Sequence, residues 1–119
     1  MNSVILVGKL TSNVALEDRG NYRYARLFLS VSRQFKNADG QIMHDIYTIS
    51  CWEGAAEMAE SLFKKGDIVM VRGHLNLSTY ITEDKRKQYV DIVGDKITLI
   101  PTDTNNHKVE YESEETSSD

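Results

Sequence analysis

Two tyrosines bracket three consecutive cations in the segment STYITEDKRKQYV, residues 78–90. In chain order these residues are Tyr80, Lys85, Arg86, Lys87 and Tyr89. An aromatic ring that stacks on a nucleobase contributes about 1–3 kcal/mol, almost regardless of which base it meets. A cation that neutralises a phosphate adds affinity by releasing counterions, and salt weakens that contribution. The segment therefore offers non-covalent binding of a polymer that exposes both flat rings and negative charge.

Residues that could carry out catalysis are scattered along the sequence. The three histidines lack metal-ligand spacing to Cys51, which is the only cysteine. No glycine-rich phosphate loop, nucleophile elbow or zinc-protease helix is present. Acidic pairs such as Glu17–Asp18 fall in predicted loops, where hydration is their ordinary role. We therefore expect a binding protein with no enzyme activity, no metal site and no cofactor.

Alternating apolar residues predict that the chain is mostly β-strand. In IVMVRGHLNLSTYI, residues 68–81, the odd positions are mostly apolar and are expected to face a core. The even positions are mostly polar, which predicts that Tyr80 lies on an outer face with Arg72 and His74.

The same alternation predicts three further strands. They are YARLFLSVSRQF (residues 24–35), IYTISCW (residues 46–52) and QYVDIVGDKITLI (residues 88–100). The second of them places Trp52 on a face that mixes polar with large apolar groups, as expected for a half-exposed binding face. The third is expected to bend near Gly94.

The first strand, VILVGKL (residues 4–10), is apolar at both odd and even positions until Lys9. A strand that is covered on both faces needs either a partner subunit or burial within one tight barrel. The candidate interface residues are Val4, Ile5, Leu6 and Val7, together with Tyr47.

One helix is predicted in EGAAEMAESLFKKG, residues 53–66, from helical spacing of apolar residues, lysines in the last turn and Gly66 as the stop. The order is then three strands, one helix and two strands. This all-β order is the plan of a five-stranded OB-fold, a Greek-key barrel with one helix between strands 3 and 4. OB-folds bind oligonucleotides across strands 2 and 3 and the loops beside them, and residues 85–87 fall in the predicted loop between strands 4 and 5.

The charge is unevenly distributed over the 119 residues. Residues 102–119 hold six acids and one lysine, a net −5, so the overall −4 leaves +1 for residues 1–101. We expect one domain over residues 1–101 and a disordered acidic tail over residues 102–119. The sequence lacks a membrane-spanning apolar run and an export signal, and its lone cysteine fits a reducing compartment, so a cytoplasmic location is expected.

Outward-facing aromatic and cationic side chains collect around one predicted surface. The aromatics are Phe35, Trp52, Tyr80 and Tyr89, and the cations are Arg33, Lys36, Arg72, Lys85, Arg86 and Lys87. Such a set suits a single strand of nucleic acid, with little base preference. Packing alternatives stay open: Trp52 can belong to the core, Tyr80 can pack at a rim, and residues 85–87 can form a solvated loop.

The sequence also resembles the bacterial and phage single-stranded DNA-binding proteins from about residue 1 to residue 101. The resemblance rests, in this order, on NSVILVGKLT, LSVSRQFKNADG, ISCWEGAAEMAESLFKKGDIVMVRGHL and QYVDIVGDKITLI. It implies base stacking by Phe35, Trp52 and Tyr80. It implies strand contacts by the basic residues Lys9, Arg33, Lys36 and Arg72. It also implies a homotetramer whose first strands pair between subunits.

Four departures from the family pattern mark a divergent member. After the first strand, SNVALED stands where the family often has an Asp-Pro pair. Gly54 stands where a lysine is common, and Ile46 stands where strand 3 often has an aromatic. The last ten residues, EYESEETSSD, are acidic but have no apolar tip of the kind that recruits replication and repair proteins. Partners of that kind therefore stay open.

The sequence thus predicts sequence-tolerant binding and protection of single-stranded DNA in replication, recombination or repair. The alternative is an OB-fold protein-interaction subunit of a replication or primosome assembly, in which the aromatic face meets a protein.

Overall fold

Six strands and one helix form in residues 1–101, the part of the chain that the structure, a computed structural model, describes. They are β1 (Val4–Leu10), β2 (Leu16–Arg19), β3 (Tyr22–Lys36), β4 (Ile42–Trp52), α1 (Glu53–Leu62), β5 (Ile68–Thr82) and β6 (Lys85–Leu99). The predicted acidic tail, residues 102–119, lies outside the described residues.

The strands join in one sheet with the order β1-β5-β6-β4-β3-β2, and a further pairing between β1 and β3 closes it into a barrel. Only β4 and β6 pair in parallel, through Ile49 with Ile92 and Ser50 with Val93; the other pairings are antiparallel. The helix α1 follows β4 and packs against β3. The predicted all-β barrel with one helix after the strand that ends at Trp52 is confirmed.

The strand β2 was not predicted, so the barrel has six strands instead of five. It forms a hairpin with β3 around Gly20, whose φ of 72° suits glycine. Its sequence LEDR offers only Leu16 to the core, and one apolar residue leaves no alternation to recognise.

Alternation sets the core correctly along most strands. Fully buried side chains point inward from β3, β4 and β5 at every second position, and residues of α1 and its C-terminal end close one side. The core residues include Ala25, Leu27, Leu29, Ile49, Cys51, Ala56, Ala59, Phe63, Val69 and Val71. Burying one such leucine or valine contributes about 1.5–3 kcal/mol, so this layer holds the barrel together.

The outer halves of β5 and β6 differ from the prediction. The odd positions Leu75, Leu77 and Ile81 were expected to face a core, but all three are exposed. The register between β5 and β6 shifts at Arg72/Gly73, and beyond this point the two strands extend as a hairpin. The alternation persists there, but within residues 1–101 the structure has no element covering the apolar face.

The cationic run lies in a strand and not in a loop, contrary to the prediction. Lys85, Arg86 and Lys87 are the first residues of β6. The turn before them consists of Glu83 and Asp84, with φ angles of 48° and 68°. Two positive φ angles define the tight two-residue turn that matches strand twist, so pairing begins immediately after it.

The strand β1 is not buried on both faces within the described barrel. Ile5 and Val7 are 61% and 46% exposed on the outer face, while Val4 and Leu6 on the other face are partly buried. The alternative that a single barrel buries both faces of β1 is therefore wrong. The other alternative, a partner subunit that covers the outer face, stays a prediction.

Candidate nucleic-acid interface

A groove of about 450 Å³ runs along the outer face of β3 and β4 and reaches β6. Its lining residues are Tyr24, Arg26, Phe28, Ile46, Tyr47, Thr48, Ser50, Val90, Asp91 and Ile92. Hydroxyl groups, aromatic rings and two opposite charges therefore share one concave surface.

Trp52 lies next to this groove, at the junction of β4 and α1. The residue is 38% exposed, and its ring packs on Tyr24 at 4.4 Å and on Tyr22 at 5.3 Å between ring centroids. The ring is therefore not sealed in the core. It is held on one side and open on the other, which is the arrangement that stacking on a base requires.

Tyr24 supports Trp52 and two arginines from below. The guanidinium carbon of Arg19 lies 4.3 Å from the centroid of the Tyr24 ring, and that of Arg26 lies 5.6 Å from it. The Nε of Arg26 donates a hydrogen bond to the Tyr24 hydroxyl at 3.2 Å, and this contact raises the pKa of Arg26. A second hydrogen bond of 3.0 Å joins that hydroxyl to Ser50 Oγ. Tyr24 itself is only 5% exposed.

This cluster was missed by sequence reasoning. Tyr22, Tyr24, Arg19 and Arg26 were not among the expected site residues. The alternating letters YRYAR in residues 22–26 carried the signal, because they place two tyrosines and Arg26 on the face that ends at Trp52.

The hairpin of β5 and β6 carries the second aromatic pair. The rings of Tyr80 and Tyr89 meet edge to face, with centroids 5.4 Å apart, and both remain about half exposed. Tyr80 is paired with Lys87, and Thr82 with Lys85, so both lysines share the face of the tyrosines. Arg86 is paired with Ile81 and lies on the opposite face.

The two aromatic pairs belong to one continuous outer face. Ser50 on β4 is paired with Val93 on β6, so the outward sides of these strands adjoin. Trp52 lies two residues beyond Ser50, and Tyr89 lies four residues before Val93. Because the two strands are parallel, Trp52 and Tyr89 lie on opposite sides of the Ser50–Val93 pair, two and four positions from it. The six positions, at about 3.3 Å each, separate the two rings by about 20 Å along the strands.

Phe35 and Lys36 lie at the far end of β3, where its register with β4 is irregular between Ser32 and Lys36. Phe35 is largely exposed. Because β4 and β6 are parallel, this end of the β3–β4 hairpin and the Tyr80–Lys85 end of the other hairpin lie towards the same end of the sheet.

Arg33 is engaged within the protein. Its Nε and a terminal nitrogen donate hydrogen bonds of 2.9 Å each to the two carboxylate oxygens of Asp45. This contact holds the pKa of Asp45 below its usual value and raises the pKa of Arg33. A phosphate must therefore compete with Asp45 for this arginine.

Three of the expected residues lie elsewhere. Lys9 lines a second groove of about 540 Å³ with Ser30 and His44, and Arg72 lies in a shallow depression with Lys96. Arg72 is also the register partner of Ile5, so it borders the exposed face of β1. Tyr47, predicted as an interface residue together with those of β1, lines the first groove.

Within residues 1–101, no group of three or more His, Cys, Asp or Glu side chains is placed to hold a metal ion. In the same residues no helix combines the length and the apolar character needed to cross a membrane.

The family model described as "Single-strand binding protein family" matches residues 1–100. The chain belongs to this family, and the resemblance noted from the sequence is confirmed.

Two curated relatives are named as single-stranded DNA-binding proteins. Single-stranded DNA-binding protein 1 of Clostridium acetobutylicum is 30% identical over 106 residues, which is 86% of this chain and 96% of the relative. Single-stranded DNA-binding protein B of Bacillus subtilis is 33% identical over 98 residues, covering 81% and 87% of the two chains. These names do not favour the alternative of a protein-interaction subunit.

The fold also matches a solved structure. A crystal structure of a deletion mutant of the single-stranded DNA binding protein from Thermus aquaticus superposes with a TM-score of 0.67 at 23% identity. The match covers 84% of this chain and 50% of that one. This likeness supports the OB-fold assignment.

Proposed function

We propose that this protein binds and protects single-stranded DNA with little sequence preference during replication, recombination or repair. One observation carries the proposal: Trp52, Tyr80 and Tyr89 present open rings along a single outer face that also bears Lys85 and Lys87. Rings and cations in alternation fit the bases and phosphates of an unpaired strand. Membership of the family supports the same function.

The proposed contacts divide by chemistry. Rings that stack on bases are Phe35, Trp52, Tyr80 and Tyr89. Cations that meet phosphates are Lys9, Arg33, Lys36, Arg72, Lys85, Arg86 and Lys87. Among these, Lys85 and Lys87 have the best support, because they share the face of the tyrosines. Lys9 and Arg72 would meet only a strand that continues onto the β1 side of the barrel.

We assign this activity to a domain of residues 1–101 and treat residues 102–119 as a separate acidic tail. No enzymatic step is part of the proposal, since stacking and charge neutralisation account for it. We place the activity in the cytoplasm. The buried free thiol of Cys51 fits a reducing environment of this kind.

Quenching of tryptophan fluorescence tests the function, since Trp52 is the only tryptophan. Titration with oligo(dT) should quench it at low salt, and the affinity should fall steeply as salt rises. A duplex of the same length is the control and should bind far more weakly. Absence of quenching together with absence of binding to labelled oligo(dT) would contradict the proposal.

Self-association into a homotetramer through β1 is the second part of the proposal. Ile5 and Val7 expose apolar surface. Within residues 1–101, β1 pairs with β3 only at Lys9 and Leu10, so no described strand pairs with Val4 to Gly8 on that edge. Such an edge readily pairs with another strand.

Light scattering distinguishes a tetramer, a dimer and a monomer. A Val7→Asp variant should lower the measured mass, because it buries a charge at the proposed contact. Ile81→Asp is the matched control: Ile81 is even more exposed but lies at the tip of the hairpin. An unchanged mass for the Val7 variant, or a monomeric parent protein, would overturn this part of the proposal.

A further inference from the structure

The groove on β3, β4 and β6 holds two opposite charges that stacking does not use. Arg26 on β3 is paired with Ser50 on β4, which is paired with Val93 on β6. Asp91 lies two residues before Val93 on the same face. Because β4 and β6 are parallel, Asp91 lies beside Thr48, which is two residues before Ser50. Two strand spacings separate β3 from β6, about 10 Å, so Arg26 and Asp91 lie on opposite walls with small hydroxyl side chains between them.

Both charged groups have capacity for a ligand. Within residues 1–101, the only side-chain hydrogen bond of Arg26 is the one from Nε to the Tyr24 hydroxyl, which leaves both terminal nitrogens available. In that same part of the chain, Asp91 makes no hydrogen bond and no ion pair. The two charges still influence each other: after the Tyr24 contact, Asp91 is among the groups that raise the pKa of Arg26.

A phosphate does not suit this groove, because the Asp91 carboxylate would repel it. The edge of a base suits it better, provided that the edge offers acceptors on one side and donors on the other. Guanine presents the acceptors N7 and O6 next to the donors N1–H and N2–H₂, and arginine is the common bidentate partner of O6 and N7. An ionised carboxylate accepts two neighbouring N–H groups. The other three DNA bases lack this combination of two adjacent acceptors and two adjacent donors.

We propose that this groove reads one base of the bound strand by its edge and prefers guanine, with Arg26 donating to O6 and N7 and Asp91 accepting from N1–H and N2–H₂. Tyr24 is the positioning residue, because its hydroxyl fixes Arg26 Nε while its ring supports Trp52. The proposal rests on the proposed function and adds a preference at one position of an otherwise tolerant surface.

Short oligo(dT) strands that differ in one central base test the preference. That base is guanine, adenine, inosine, which lacks the N2 amino group, or 7-deazaguanine, which lacks N7. The guanine strand should bind about 10-fold more tightly than the adenine strand, within the range of one bidentate base contact. Inosine and 7-deazaguanine should fall between them.

Variants assign each contact to a side chain. Asp91→Asn should erase the difference between guanine and inosine and keep the difference between guanine and 7-deazaguanine. Arg26→Met keeps an unbranched apolar stem without donors, and it should have the opposite effect. Asp84→Asn is the matched control: it removes the same charge at the hairpin turn, where asparagine tolerates the positive φ, and should keep the guanine preference.

The outcomes separate the inference from the function beneath it. Equal affinity of the parent protein for all four strands overturns the guanine preference and leaves single-strand binding intact. A preference that survives Asp91→Asn and Arg26→Met, in variants whose circular dichroism shows a native fold, overturns the assignment to this groove. Failure of every strand to bind at low salt overturns the proposed function and this inference with it.

Discussion

At the scale of single residues, the open rings at the two ends of the outer face should supply most of the affinity. Trp52→Ala and Tyr80→Ala are each expected to weaken oligo(dT) binding by 1–3 kcal/mol, about 5- to 150-fold, because one stacked base is lost. Fluorescence anisotropy of a labelled oligonucleotide measures both variants. Ile81→Ala is the control, since Ile81 is exposed next to Tyr80 but lies on the opposite face of the hairpin. An equal loss for all three variants would contradict a specific role of the rings.

The thiol of Cys51 should be unreactive in the folded protein. Burial raises its pKa from 9.0 to about 12, and Asp95 adds to this shift, so almost no thiolate exists at pH 8. Alkylation by iodoacetamide should therefore occur only in molecules that have opened or unfolded, and urea should accelerate it. Rapid labelling of the native protein at pH 8 would show that the thiol is accessible.

The same shift makes stability depend on pH. The pKa is higher in the folded than in the unfolded chain, so the contribution is fully present below pH 9 and is lost as pH rises towards 12. Replacing Cys51 by alanine should remove this particular loss between pH 9 and pH 12, although it also removes buried volume and lowers stability at every pH. Urea titrations of both proteins across this range measure the difference.

Alternation in the sequence was sufficient to place some residues and not others. It correctly predicted that Trp52 and Tyr80 face outward, because their strand neighbours at every second position are polar or mixed. It could not predict that Tyr24, also an outward position, is covered, since Trp52 on β4 and Arg19 on β2 pack over its ring. Contacts between distant side chains do not follow from the period of one strand.

At the scale of the elements, the pairing of β5 with β6 requires a glycine at position 73, where the register between the two strands shifts. A Cβ at Gly73 would collide with the backbone carbonyl of Val93, which no side-chain movement can relieve. Gly73→Ala should therefore lower the free energy of unfolding by about 1–3 kcal/mol or more, the usual cost of overpacking. Gly54→Ala is the matched control, because a Cβ at Gly54 meets no atom within 4 Å and alanine favours the helix. Urea denaturation of both variants measures the effect, and equal stabilities would contradict it.

The elements themselves were predictable where many residues repeat one pattern. The long strands β3, β5 and β6 have enough alternating positions, whereas β2 has four residues and a single apolar one. The placement of Lys85–Lys87 in a strand depends on the turn at Glu83 and Asp84, whose positive φ angles are uncommon for residues other than glycine. The exposure of the apolar face of the hairpin could not be predicted either. It arises because no element in residues 1–101 packs on that face, and alternation within one strand does not show which elements pack together.

At the scale of the whole molecule, two separate surfaces allow two activities at once. The groove lies on β3, β4 and β6, the tyrosine face lies on the hairpin of β5 and β6, and the exposed apolar residues Ile5 and Val7 lie on β1. Self-association through β1 would therefore leave the groove and the tyrosine face of each subunit accessible, whereas Lys9 on β1 and Arg72 beside Ile5 would lie near the contact. Arg72, next to Ile5, is the expected cation whose role depends most on assembly.

The charge of the whole chain opposes its proposed ligand. Residues 102–119 carry −5, against +1 for residues 1–101. We expect this acidic segment to compete with DNA for the cations of the domain, so a chain ending at Pro101 should bind oligo(dT) more tightly at low salt. The two proteins should converge as salt screens the charges, with a Debye length of about 3 Å at 1 M. Titrations of both over a range of salt concentrations measure the effect.

A full-length variant separates the charge of this segment from its bulk. Changing its six acidic residues to asparagine and glutamine keeps all 119 residues while removing six negative charges. If competition is electrostatic, this variant should match the shortened chain in affinity and in salt dependence, because both leave the cations of β6 free for phosphates. If the amide variant instead behaves like the parent protein, the segment acts by steric exclusion. If all three proteins bind equally at every salt concentration, residues 102–119 do not reach the DNA surface at all.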